Sequence, residues 1–205
     1  MPPGNVADMA RPAHAARDRR RAAGRAGRGR LYLVRHGRTA GNGVRYVGWG
    51  DEPLDEVGRR QARALADELA DEPIDIVYSS PLRRALDTAR PLAERHRAPL
   101  RVREQLKEVH YGDYQELPKS ATKLRLKRFH RVRRMPGGES LRDVFDRVHG
   151  VLAEVERELA AGRHVAVVAH FWSLRMLVGH VAGLAFDDVL DRDDYTPANA
   201  SVLRV

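Results

Sequence analysis

The chain has 205 residues, 42% of them hydrophobic, no cysteine and a formal net charge of +9. That suffices for one domain with a sizeable core, and it excludes a disulfide framework, a thiolate metal site and a cysteine nucleophile, with a reducing cytoplasm the natural compartment. No apolar run approaches the roughly 18 residues of a membrane span, so a soluble protein is expected.

The charge is unevenly placed. Residues 1–30 hold eight arginines against Asp8 and Asp18 and so carry six of the nine excess charges. Rich in Ala, Gly, Pro and Arg, with almost nothing large and apolar to bury, residues 1–29 read as a disordered basic leader and 30–205 as the folded domain. A surplus concentrated in a leader argues against nucleic acid as a partner of the fold itself.

The domain opens with Leu31-Tyr32-Leu33-Val34, an apolar run that stops at Arg35-His36-Gly37. This pattern predicts a buried strand that delivers two side chains to the carboxyl edge of a sheet, where open α/β folds place their ligands. Neutral imidazole beside a guanidinium suits phosphoryl transfer, because the first can attack phosphorus while the second binds its oxygens in a planar fork. Residues 40–55 read as a Gly-rich loop containing Trp49 and Pro53. Gly58 to Ala70 follows as a helix with Ala62, Leu65, Ala66 and Leu69 on one face, ended by Pro73.

Ile74 to Tyr78 is predicted as a second strand. Ser80 as N-cap with Pro81 in the first turn then starts a helix whose amino end carries Arg83 and Arg84, a second anion-binding element. Leu100 to Val102 reads as a short strand. Pro118 to Arg134 is strongly basic, and a solvated helix face accounts for most of it. Ser140 and Asp143 resemble a capping box for a helix whose core stripe is Val144, Val148, Val151, Leu152, Val155 and Leu159. His164 to Ala169 is an apolar strand suited to the centre of a parallel sheet and ends at His170, repeating the arrangement at His36. A helix from Ser173 to Val181 and a last strand from Ser201 to Val205 complete the chain.

These motifs together resemble the histidine phosphatase superfamily, with its phosphoglycerate mutase-like fold. The likeness runs through Arg35-His36-Gly37 with Thr39 and Asn42, Gly48-Trp49, Ser80-Pro81-Leu82-Arg83-Arg84-Ala85 with Thr88, Glu108 before Tyr111-Gly112, Gly138-Glu139-Ser140, and Ala169-His170. It implies a three-layer α/β/α sandwich with a mostly parallel central sheet. It also implies that His36 is the phosphorylated nucleophile, that Arg35, Arg84 and His170 hold the phosphoryl group with help from Asn42, and that Glu108 passes a proton to the leaving oxygen. Tyr111, Lys119, Arg133 and Arg134 would contact the rest of the substrate. No metal and no other cofactor is implied.

The expected activity is hydrolysis of a small anionic phosphate ester. A mutase-type phosphoryl transferase and, last, a non-catalytic phospho-ligand binding module are the alternatives, and a homodimer is left open. The chain departs from the family's usual pattern at Phe171 and Glu116, where Gly is common. Trp49 and Trp172 fit either a pocket wall or core packing, and the other seven histidines are given no role.

Overall fold

The computed structural model of the protein describes residues 29–122, 124–192 and 195–205. Five strands form one sheet: β1 (Leu31–Arg35), β2 (Ile76–Ser79), β3 (Leu100–Val102), β4 (Val165–Ala169) and β5 (Val202–Arg204). Their spatial order is β3-β2-β4-β1-β5, parallel except for β5 at one edge. The helices are α1 (Glu56–Glu68), α2 (Arg83–His96), α3 (Leu126–Phe129), α4 (Leu141–Ala160), α5 (Phe171–Val181) and α6 (Phe186–Asp191).

Strand periodicity divides the core in two. Leu31, Leu33, Val165, Val167 and Ala169 face α4, α5 and α6, and alternate residues Tyr32, Val34, Ala166 and Val168 face α1 and α2. The outcome is the expected α/β/α sandwich. β4 lies at its centre with all five residues buried, and each Val side chain so buried contributes about 1.5–3 kcal/mol.

Several elements begin elsewhere than the sequence suggests. α1 starts at Glu56, capped by the Asp55 carboxylate, which accepts from the Gly58 amide at 2.7 Å. Ser80 does not cap α2: Leu82 occupies the cap position, and the Ser80 hydroxyl accepts only from the Leu82 amide at 3.3 Å. The first amide of α2, on Arg83, donates instead to Asp51 Oδ1 at 2.6 Å. The amino end of α2 is therefore met by a protein carboxylate rather than left open to an anion. α5 begins at Phe171, directly after His170. The capping box at Ser140 and Asp143 is present.

Within the basic run only Leu126–Phe129 is helical; Lys123 and the leader up to residue 28 lie outside the described residues. α6 has no sequence signal, because six residues are too few to establish a period. Among the described residues no helix is long and apolar enough to cross a membrane.

The loop after β1 is clamped from both neighbouring helices. The Gly37 amide donates to Thr88 Oγ1 on α2 at 2.9 Å, and the Arg38 amide to Gln61 Oε1 on α1 at 2.8 Å. α1 comes so close that a Cβ on Gly58 would stand 2.0 Å from the Arg38 carbonyl oxygen. In a helix Gly→Ala ordinarily stabilises by about 0.5–1 kcal/mol, but here the added methyl meets backbone that cannot retreat. Gly58→Ala is therefore expected to lower the free energy of unfolding by about 1–3 kcal/mol, measured by urea denaturation; an unchanged or raised midpoint would contradict this packing.

Candidate active site

β1 and β4 run parallel with Arg35 opposite Ala169, and the ladder continues one residue further through the His36 amide, which donates to the Ala169 carbonyl at 3.0 Å. The next residue of each strand, His36 and His170, is thereby brought to the same edge with ring centroids 5.0 Å apart. β2 ends beside β4, with the Ser80 amide on the Val168 carbonyl at 3.2 Å, so the helix that follows carries Arg84 to that edge. Arg35, His36, Arg84, Glu108 and Trp172 line one cleft of about 590 Å³, together with Asn42, Tyr111, Lys119, Phe171 and Asn199.

The hydrogen bonds assign the protons. His36 Nδ1 lies 2.7 Å from the Gly37 carbonyl oxygen, which can only accept. Nδ1 therefore carries the proton, and the Nε2 lone pair is left free. Burial holds His36 well below the usual imidazole range, and the Arg84 and Arg35 charges hold it lower still. His170 is displaced the same way by burial, then Arg84 and His36; neither of its ring nitrogens meets a hydrogen-bond partner among the described residues. Both rings are thus kept neutral.

The guanidinium groups are tied by carbonyls. Arg84 donates to Gly50 O and Gly48 O, both at 2.7 Å, and Arg35 to Pro197 O at 2.6 Å. Neither forms an ion pair with a carboxylate among the described residues. Burial alone weighs against their charges, and a dianion entering the cleft would be their first ionic partner.

Glu108 is shifted in the opposite direction. Burial pushes its carboxyl up, although the Val109 amide, Arg84, Arg35 and the Trp172 amide all favour the ionised form. Oε1 accepts from both amides at 3.0 Å, which leaves Oε2 as the oxygen able to carry a proton. Asn42 Oδ1 accepts from the Thr39 amide at 2.9 Å and from Asn199 Nδ2 at 3.0 Å, so its own NH₂ is turned away from these partners and available to a ligand.

The remaining residues singled out in the sequence divide. Tyr111 and Lys119 reach the cleft; Arg133 and Arg134 do not. Arg133 is exposed, and Arg134 is engaged by Asp143 through Nη2 to Oδ1 at 2.7 Å, which drives that carboxylate down to about 2. The same carboxylate that closes the α4 capping box thus also claims Arg134. Phe171 forms a cleft wall, edge-on to Trp172 and 5.6 Å from the Arg35 guanidinium carbon. Trp49 is outside the lining and donates from Nε1 to the Glu108 carbonyl at 2.7 Å. Glu116 takes φ 65°, in the left-handed region, which explains a preference for Gly there; its carboxylate pairs with Arg45 Nε at 2.5 Å.

Sequence reasoning missed Asn199. It donates to the His36 carbonyl at 3.0 Å as well as to Asn42, and it arrives only because β5 folds back antiparallel beside β1. No motif marks it. Thr88 stood within a motif, yet nothing in the sequence assigned it the task of joining Gly37 to the Arg84 carbonyl, which it reaches at 2.8 Å.

Residues 31–205 match the histidine phosphatase superfamily (branch 1). The chain is 39% identical over 172 residues to a glucosyl-3-phosphoglycerate phosphatase of Mycolicibacterium vanbaalenii, covering 78% of this chain and 76% of the relative. It is 34% identical over 171 residues to a 2,3-bisphosphoglycerate-dependent phosphoglycerate mutase 2 of Gloeobacter violaceus, covering 78% of each. Among solved structures, a native mycobacterial glucosyl-3-phosphoglycerate phosphatase superimposes with a TM-score of 0.74 at 33% identity, covering 85% of this chain and 88% of that one.

In ¹⁵N-histidine spectra of the ligand-free protein, His36 and His170 are expected to keep the signature of neutral imidazole as the pH falls from 8 through 6. A titration midpoint near 6.5 for either ring would contradict the electrostatics described. Arg84→Met, which removes a cation from both rings, is expected to move their midpoints upward.

Proposed function

The chain belongs to the histidine phosphatase superfamily, and from that premise we propose that it is a phosphomonoester hydrolase working through a phosphohistidine on His36. The observation that carries the mechanism is the free Nε2 of His36, set beside two guanidinium groups that lack ionic partners.

In this reading a dianionic phosphoryl group is held by Arg35 and Arg84, which line the cleft with Asn42 as a further donor, and by His170, buried directly behind His36 at 5.0 Å between ring centres. Nε2 attacks phosphorus as the P–O ester bond breaks. Charge gathering on the equatorial oxygens is met by donors already in place. The proton on Glu108 Oε2 passes to the leaving oxygen, and the alcohol departs. Glu108, now ionised, accepts a proton from the water that cleaves the P–N bond, which releases phosphate and returns both groups to their starting states. The arginines supply the positive charge, so the reading calls for no metal.

The outer half of the cleft bears on the substrate. Lys119 faces it, with its ammonium 5.5 Å from the Tyr46 ring centre, and is held below the usual lysine range by burial and the Arg35 charge. Phe171 and Leu126 offer apolar surface nearby. This combination suits an alcohol that carries a carboxylate and some apolar or sugar surface, in keeping with the relative that acts on a glucosylated phosphoglycerate. The similarity to a phosphoglycerate mutase supports a second reading, intramolecular phosphoryl transfer. That reaction must retain its intermediate and exclude water, whereas a cleft of about 590 Å³ leaves room for water beside a small ester.

Phosphate release from a panel of esters in EDTA, run beside interconversion of 2- and 3-phosphoglycerate primed with bisphosphoglycerate, separates the two. EDTA-resistant release is expected; interconversion without release would overturn hydrolysis. His36→Ala is expected to lower turnover by about a thousandfold or more and to abolish acid-labile phosphate on the protein, with the fold intact by circular dichroism. Lys119→Met is expected to raise KM about tenfold for a carboxylated ester and to change KM little for phenyl phosphate.

A further inference from the structure

Glu108 has no regular element beneath it. It lies between two short 3₁₀ turns, Glu104–Leu106 and Gly112–Tyr114, so no helix or strand ladder fixes its own backbone, although its carboxyl is met by the Trp172 amide at the start of α5. Besides Trp49 Nε1, which donates to the Glu108 carbonyl, one side chain of α4 holds this loop at three carbonyls. Arg147, in the second turn of that helix, donates from Nη1 to Gln105 O at 2.6 Å and Lys107 O at 2.7 Å, and from Nη2 to Glu108 O at 2.8 Å.

The guanidinium is oriented in turn by Glu139, whose Oε1 accepts from Nε at 2.8 Å and whose Oε2 accepts from Nη2 at 3.1 Å. Oε2 also accepts from the His110 amide at 2.9 Å. One ion pair therefore grips the backbone on both sides of Glu108. Both partners are largely buried, at 17% and 18% side-chain exposure, and α4 is anchored in the core by Val144, Val148 and Val151. A planar fork that meets three carbonyls and a carboxylate at once is something lysine cannot reproduce.

We propose that Arg147 is the positioning residue of the acid, transmitting the rigidity of α4 to the Glu108 carboxyl. The proposal rests on the reading of Glu108 as proton donor. In the step at issue the Nε2–P bond forms, the P–O ester bond breaks and the Glu108 proton moves to the leaving oxygen. An alkoxide, strongly basic, needs that proton in the transition state; 4-nitrophenolate, a weak base, leaves with little help. Loosening Arg147 should therefore penalise alkyl esters selectively, whereas a general loss of structure would penalise both alike.

The test compares kcat/KM for 3-phosphoglycerate and for 4-nitrophenyl phosphate in the wild type, Glu108→Gln, Arg147→Met and Arg147→Lys. This parameter covers the steps up to phosphohistidine formation, so water attack does not enter it. The loss on the alkyl ester is expected to exceed the loss on the aryl ester by about tenfold or more in Arg147→Met, with Arg147→Lys between it and the wild type. If Arg147→Met does not fold, Arg147→Lys alone decides. Equal losses on both esters in folded variants, or no loss, while Glu108→Gln still discriminates, would overturn the positioning role. A Glu108→Gln that fails to discriminate would remove the acid assignment and this proposal with it.

Discussion

Two guanidinium groups line this cleft with carbonyl oxygens as their hydrogen-bond partners among the described residues. Dipoles orient Arg84 and Arg35 but do not neutralise them, and the low local dielectric magnifies what remains. Burial, reinforced by this charge, keeps both histidines neutral, and in the proposed reaction the same charge would favour a dianionic ligand and meet phosphoryl oxygens without reorganisation. The nearby carboxylates have other partners: Asp51 meets the α2 amide and Glu52 pairs with Arg45, while burial pushes the Glu108 carboxyl up.

Glu108 and the two histidines illustrate how one pocket moves acids and bases in useful directions. Burial disfavours whichever form is charged, so it raises a carboxyl and lowers an imidazole. The neighbouring cations reinforce the shift on the histidines and oppose it on Glu108. The pocket thus favours a neutral imidazole and a less acidic carboxyl side by side, the division of roles that the proposed chemistry calls for.

Arginine serves in this fold as a structural tie. Arg84 is fastened to the Gly-rich loop, Arg35 to the segment before β5, and Arg147 to the loop that bears Glu108. In each case carbonyls without a strand or helix partner receive charged donors, which accounts for irregular loops holding groups in place around a site.

The strands, the larger helices and the two histidines at strand ends were legible in the sequence, because burial periodicity and the break from an apolar run to Arg-His-Gly are properties of near neighbours along the chain. Arg83 and Arg84 were legible together at the start of a helix that follows a strand, and the resemblance to the family singled out Arg84. The sequence did not separate Lys119, which turns into the cleft, from Arg134, which Asp143 claims, since a cation's nearest carboxylate depends on how distant segments pack. Asn199 and Arg147 carried no local signal at all. The antiparallel return of β5 brings the one to His36, and the packing of α4 brings the other under Glu108, both being contacts between segments far apart in sequence that only the tertiary structure decides.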